Sequence, residues 1–150
     1  MGTSPGGYIP PVGFHFKVEF VGIGNNNDTR FQSVTGLTME YDTEPYKEAG
    51  NNQFEYKLPN RLKFPDAAVF KRGMLTDSAV IKWCIETFKA RLIKPATVIV
   101  TLLNENHQPL MTWNIVDAWP RKWSVSEFNA QENNLAIETL ELNYAYFTTL

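Results

Sequence analysis

Cysteine is nearly missing from this chain of 150 residues, with Cys84 the single one. A lone cysteine cannot close an internal disulfide or build a zinc knuckle, which leaves folding in the cytosol as the simplest reading. Histidine is almost as scarce. His15 falls on the polar face of a predicted strand, and His107 falls in a turn between Asn106 and Gln108. Neither has a cysteine or carboxylate at metal-ligand spacing, so no metal and no cofactor is expected. A basic run is lacking too: 14 Lys and Arg stand against 16 Asp and Glu, for a net charge of -2. Specific nucleic-acid binding, which calls for a basic stripe along the phosphates, is therefore not expected. No apolar run is long enough to cross a bilayer, and the first residues lack the basic start and apolar stretch of a signal peptide. No membrane partner is expected. Met1–Gly13 carries Gly2, Gly6, Gly7, Pro5, Pro10 and Pro11 and reads as a flexible arm, followed by a single domain over 14–150.

What the chain has in excess is aromatic side chains, at 13%: ten Phe, six Tyr and four Trp. Aromatics pack well on a pleated, half-buried surface, which tilts the class toward β. Phe14, Phe16, Val18 and Phe20 alternate with His15, Lys17 and Glu19, the period of a strand with one face buried. Segments at Arg30–Val34 and at Leu37, Met39 and Tyr41 follow, and the three read as an antiparallel meander. Leu62–Arg72 reads as one strand with an edge or bulge at Pro65. One helix is predicted from Asp77 to Leu92, capped by Thr76, with Ala79, Val80, Trp83, Cys84, Phe88 and Leu92 on its apolar face. Thr97–Leu103, apolar on both faces, reads as a central strand, Leu110–Trp119 as another. In the last strand, Leu135 and Ile137 are out of phase with Leu140, Leu142, Tyr144 and Tyr146, which predicts a bulge or a change of face. The sum is a mainly β fold: a small antiparallel β-barrel or sandwich of about seven strands with one packed helix.

Between Thr43 and Asn60 the chain is polar, and Gly50-Asn51-Asn52 is good turn chemistry. Composition alone slightly favours an ordinary surface loop over a long protruding hairpin, although loops of this length are uncommon without a task. No constellation for catalysis emerges. Cys84 lies on an apolar helix face, Glu138 and Glu141 lie in a strand where solvation suffices, and Gly22 and Gly24 precede asparagines, not a helix. No catalytic residue is assigned, which leaves an assembly subunit or a barrel that binds a small ligand.

Four segments decide between these. Phe31-Gln32-Ser33-Val34-Thr35-Gly36-Leu37 resembles the F-x-x-V-x-G-L turn of the phage tail tube family. Leu58-Pro59-Asn60-Arg61-Leu62-Lys63-Phe64, with Phe70-Lys71-Arg72-Gly73-Met74-Leu75-Thr76-Asp77, resembles its LPGR-x-K and LKRG-x-T-D core. Asp117-Ala118-Trp119-Pro120-Arg121-Lys122-Trp123 is similar to its A-W-P-x-K-W turn. Asn129–Leu142 is similar to its closing N-A-x-x-N-x-x-A-I-E-T-L-E-L strand. Asn60 stands where the family has glycine, and Met74 adds a residue before Leu-Thr-Asp.

The resemblance implies a structural inner-tube subunit of a contractile phage tail or extracellular injection particle, related in fold to the haemolysin-coregulated protein of type VI secretion. Homo-hexameric rings would stack around a hollow lumen for a protein effector or DNA. The implied partners are a contractile sheath, a baseplate or tube-initiator protein and a cap protein; the resemblance further implies synthesis in the bacterial cytoplasm and a place in a phage tail or a phage-tail-like particle that can be released from the cell. A specialised tube-initiator or cap-proximal ring carries the same motifs. The helix would pack on the outside of the barrel. The segment Thr43–Asn60 would become the hairpin that bridges rings, through Glu44, Tyr46, Lys47, Glu48, Asn51, Asn52, Phe54, Glu55 and Lys57.

Overall fold

The computed structural model describes residues 15–23, 29–50, 53–74, 77–126 and 136–150; the arm over 1–13 lies outside them. In chain order the elements are β1 (His15–Phe20), β2 (Arg30–Phe31), β3 (Ser33–Thr35), β4 (Glu40–Tyr46), β5 (Tyr56–Lys63), β6 (Ala68–Gly73), α1 (Ala79–Ala90), β7 (Ala96–Leu103), β8 (Pro109–Val125), β9 (Ile137–Asn143) and β10 (Tyr146–Thr149). The main sheet runs β2-β1-β7-β8-β9-β6-β3, with β10 also paired to β8. Its two outermost strands, β2 and β3, are separated by Gln32 alone. Phe31 pairs with Phe16 on one side, and Ser33 pairs with Lys71 on the other. One short piece of chain thus joins both edges, and the sheet closes into a barrel, which removes those edges from solvent.

Alternation places the core. Val18 and Phe20 of β1, Ala68 and Phe70 of β6, Val98 and Val100 of β7, Ile115 and Ala118 of β8, and Leu140 and Leu142 of β9 point inward and are buried. Phe20, Phe31 and Phe70 meet with ring centroids 5.7–6.2 Å apart. At roughly 1.5–3 kcal/mol per fully buried large side chain, this filled interior is the main stabilising term.

The expected meander is not formed. Residues 30–35 split between β1 and β6, and β4 turns away to pair with β5 as a separate two-stranded sheet. The cause sits at Gly36, whose φ of +86° turns the chain; a Cβ there would lie 1.9 Å from the Ala67 carbonyl oxygen, so only glycine fits. Leu62–Arg72 is likewise two strands, broken around Pro65, which supplies no backbone N–H to a ladder.

Helix α1 starts two residues later than expected. Ser78, not Thr76, is the N-cap: its Oγ accepts from Ile81 N at 3.2 Å, while Thr76 lies outside the described residues. Arg91, at φ 56°, ends the helix. Val80, Trp83 and Cys84 join the cluster of inward-facing barrel residues, with Trp83 6.1 Å from Phe20. The helix therefore closes the end of the barrel at which β1 and β6 finish, instead of lying on its outer wall. Phe88 and Leu92, expected in the core, are 43% and 57% exposed. Thr87 takes the buried position in that turn, its hydroxyl donating to the Trp83 carbonyl at 2.9 Å.

The irregularity expected in the last strand belongs to its partner. β9 pairs with β6 without interruption from Ile137↔Gly73 to Leu142↔Ala68. On β8, Pro120 faces Leu142 and Lys122 faces Glu141, so Arg121 is the extra residue of a bulge. The inward series of β9 is Glu138, Leu140, Leu142. Its phase is constant, and the first member is a buried carboxylate.

Candidate functional site

The hairpin β4–β5 is the one part of the described structure whose strands have no buried face. Every residue of both strands is exposed except Asp42 and Lys63, which are half-buried. The register Glu40↔Lys63, Tyr41↔Leu62, Thr43↔Pro59, Glu44↔Leu58 and Tyr46↔Tyr56, with a shift between Tyr41 and Thr43, sorts the side chains onto two faces. One carries Glu40, Asp42, Glu44, Tyr46, Tyr56 and Leu58. The other carries Tyr41, Pro45, Lys57, Pro59 and Leu62. Both mix aromatic or aliphatic groups with charge.

Local contacts hold the ribbon in register. Lys63 Nζ lies 2.6 Å from Asp42 and 3.6 Å from Glu40, and hydrogen bonding to Asp42 raises its pKa. Asn60 Nδ2 donates to Glu44 Oε1 at 3.0 Å, and Phe54 stacks edge-on to Tyr56 at 5.1 Å. Of the residues expected to bridge rings, Glu44, Tyr46, Lys57 and Phe54 fall in or beside this network. Lys47, Glu48 and Glu55 flank it in exposed coil, and Asn51 and Asn52 lie outside the described residues. Tyr41, Tyr56, Leu58 and Leu62 complete the surface; the sequence pattern assigns Tyr41 and Leu62 to strands of the main fold, and Tyr56 and Leu58 lie within the hairpin segment without being among the expected bridging residues. A two-stranded ribbon is marginal by itself in water, and one with apolar groups on both faces has the character of a contact element.

Elsewhere the described residues contain no group of three or more metal-ligating side chains, and no helix among them is long and apolar enough to cross a membrane. Cys84 is fully buried, and burial pushes its thiol up to about 12, with the Glu138 charge adding to the rise. That is a packed thiol and not a nucleophile. His15 and His107, which sequence spacing keeps apart, do meet: His107 Nδ1 lies 3.0 Å from His15 Nε2.

The four motif segments converge on one buried point. Arg72 Nε donates to Glu138 Oε2 at 2.8 Å, and Trp123 Nε1 donates to Glu138 Oε1 at 2.6 Å. The Arg72 guanidinium lies 4.5 Å from the Phe31 ring centre and also donates to the capping Ser78 Oγ at 3.0 Å. Phe31, Arg72, Trp123 and Glu138 come from the first, second, third and fourth motif respectively. The motifs thus encode a structural knot that ties β2, β6, β8, β9 and the helix cap together. The glycine of the first motif is held as well, its carbonyl accepting from Tyr144 Oη at 3.0 Å.

The model of the T4-like virus tail tube protein gp19 family matches residues 12–148. Among solved structures, a chain in the cryo-EM structure of the anti-feeding prophage baseplate is 27% identical, with a TM-score of 0.77 over 95% of this chain and 97% of that one. A chain in the PVC sheath-tube complex of an extracellular contractile injection system, in the extended state, is 24% identical with a TM-score of 0.73, covering 95% and 92%. Hcp1 from Flavobacterium johnsoniae shares the fold at 12% identity, with a TM-score of 0.51 over 91% and 94%. None of the curated protein sequences matches.

Proposed function

Because the chain belongs to the T4-like virus tail tube protein family, we propose that six copies close into a ring and that rings stack into the inner tube of a contractile injection system. The β4–β5 hairpin is the link from one ring to the next. The observation that carries this reading is the two-faced exposure of the hairpin. Tyr41, Tyr46, Phe54, Tyr56, Leu58 and Leu62 are each between 44% and 59% exposed on an element with no core of its own. Covering such groups releases about 25 cal/mol for each Å² of apolar surface removed from water, and a neighbouring ring supplies the cover.

Ring closure has its own physical support. The barrel seals most strand edges, but β10 pairs only with β8 among the described strands, and β4 and β5 pair only with each other. Such edges are templates for another chain. A heterologous contact repeated around a six-fold axis closes them without leaving a free end. In this reading the protein performs no reaction. It provides a conduit for a protein effector or DNA, is sheathed by a contractile protein, and is bounded by baseplate or initiator and cap subunits.

Deletion of Glu44–Lys57 tests the bridging role. The barrel should keep its circular dichroism spectrum and its ring mass, while electron microscopy shows single rings in place of tubes. Tubes of normal length from the deleted chain would contradict the proposal, and a strictly monomeric wild type at high concentration would remove the ring itself.

A further inference from the structure

The turn between β7 and β8 is built to present one side chain. Asn104 Oδ1 accepts from Asn106 N and Gln108 N, each at 2.9 Å, and the Asn104 carbonyl accepts from His107 N at 3.0 Å. His107 itself sits at φ 61°, a left-handed conformation that Asn, Asp and His adopt more readily than other side chains. The result is that His107 Nδ1 stands 3.0 Å from Nε2 of His15, at the start of β1, and the two rings are inclined at 69° with centroids 4.8 Å apart.

We propose that His15 and His107 form a two-histidine chelate for a divalent transition metal, Ni2+ or Cu2+, with water in the remaining positions. The geometry carries this. Imidazole nitrogens sit about 2.1 Å from such a cation, so two ligands at right angles are separated by roughly 3.0 Å. With each ring centre about 3.2 Å from the metal, the same angle places the centroids about 4.5 Å apart. Both spacings agree with those observed. A right angle is the cis arrangement of tetragonal or octahedral sites and is narrower than the tetrahedral angle zinc favours, and imidazole suits Cu2+ and Ni2+ well.

Without metal, one ring donates its N–H to the lone pair of the other. On binding, that proton moves to the second nitrogen of its own ring, and both facing lone pairs go to the metal; no net proton is lost. Lys17 and Arg30 line the same groove and oppose a dication. Lys17 is countered by Glu19 at 3.0 Å, and its half-exposed side chain is screened by salt. The site would staple the start of β1 to a turn 92 positions away.

The test is calorimetric titration of untagged, chelator-treated protein with Ni2+, with Mg2+ as control, on wild type and on His15→Gln and His107→Asn. Asparagine keeps the left-handed turn. The expected result is one saturable Ni2+ per chain, no heat with Mg2+, and loss of saturable binding in each single variant whose circular dichroism and unfolding midpoint without metal match wild type. Saturating Ni2+ should raise the wild-type midpoint and leave both variants unmoved, since a ligand bound only to the folded state stabilises it. Absence of saturable binding in wild type, or binding that survives in either variant, overturns the proposal.

Discussion

Glu138 is 3% exposed and Arg72 also 3%, so removing one partner should cost far more than removing both. In Glu138→Leu the guanidinium stays buried without its carboxylate, a change that typically costs about 3–5 kcal/mol. The variant also strips the acceptor from Trp123 Nε1, but that indole is only half-buried, and water can replace part of the bond. In the double variant Arg72→Met, Glu138→Leu no buried charge remains. Ser78 keeps its capping bond from Ile81 N, and two apolar side chains of similar volume fill the space. What persists is the unpaired indole N–H, at about 1–3 kcal/mol before water is counted, offset by an apolar replacement that is often neutral or stabilising by about 1–4 kcal/mol. The double variant should therefore lie within about 2 kcal/mol of wild type, and the coupling between the two sites should amount to several kcal/mol. Urea unfolding by tryptophan fluorescence measures this, at one protein concentration for all variants, because assembly adds concentration-dependent stability. Additive losses in the double variant, or a loss below about 1 kcal/mol for Glu138→Leu, would refute the view of the knot as a coupled, desolvated unit.

Trp83→Ala should cost about 3–5 kcal/mol through lost burial and a cavity, whereas Phe88→Ala, 43% exposed at the same helix, should stay within about 1 kcal/mol. Equal unfolding midpoints for the two would show that the helix does not seat as described. Cys84 should resist thiol reagents at pH 8 until urea is added, since its thiolate is disfavoured up to about pH 12; rapid labelling of the folded protein would contradict its burial. The same raised pKa fixes a sign. Stability from the neutral thiol is complete below about pH 9 and is lost as pH rises from 9 toward 12, because the unfolded chain gives up its proton first. Cys84→Ala should flatten that alkaline decline, as read from unfolding midpoints between pH 8 and 11.

The strands with one buried face are legible in the sequence where the period of two survives, in β1 and most of β9; β7 is legible only as a continuous apolar run, whose one buried face the sequence does not mark. The helix was legible for a similar reason, but spacing alone could not show that it crosses the barrel's end, where only its first turns meet the core. Phe88 follows the apolar spacing and still faces solvent. Glu138 misleads differently: carboxylates are seldom buried, so the sequence pattern takes Ile137 as the inward residue and predicts a phase slip that β9 does not have. The hairpin could not be told from a loop because period-two reading looks for a buried face, and β4 and β5 have none. His15 and His107 are local signals without local meaning, since only the pairing of β1 with β7 brings their ends together.

The closure of the barrel through residues 30–35 has a consequence for its dynamics. β7 and β8 share a long ladder, whereas the closing piece contributes two paired residues to β1 and three to β6. A cylinder held by one such narrow clasp opens along that line first, because local opening follows the least-protected hydrogen bonds. Amide protons of Phe31 and Gln32 should exchange with solvent sooner than those of Val98 and Val100. In the proposed ring, a joining subunit would present a clasp that can loosen briefly while the rest of its wall stays intact, and a neighbour resting against β1 or β6 would act as the hand that keeps it shut.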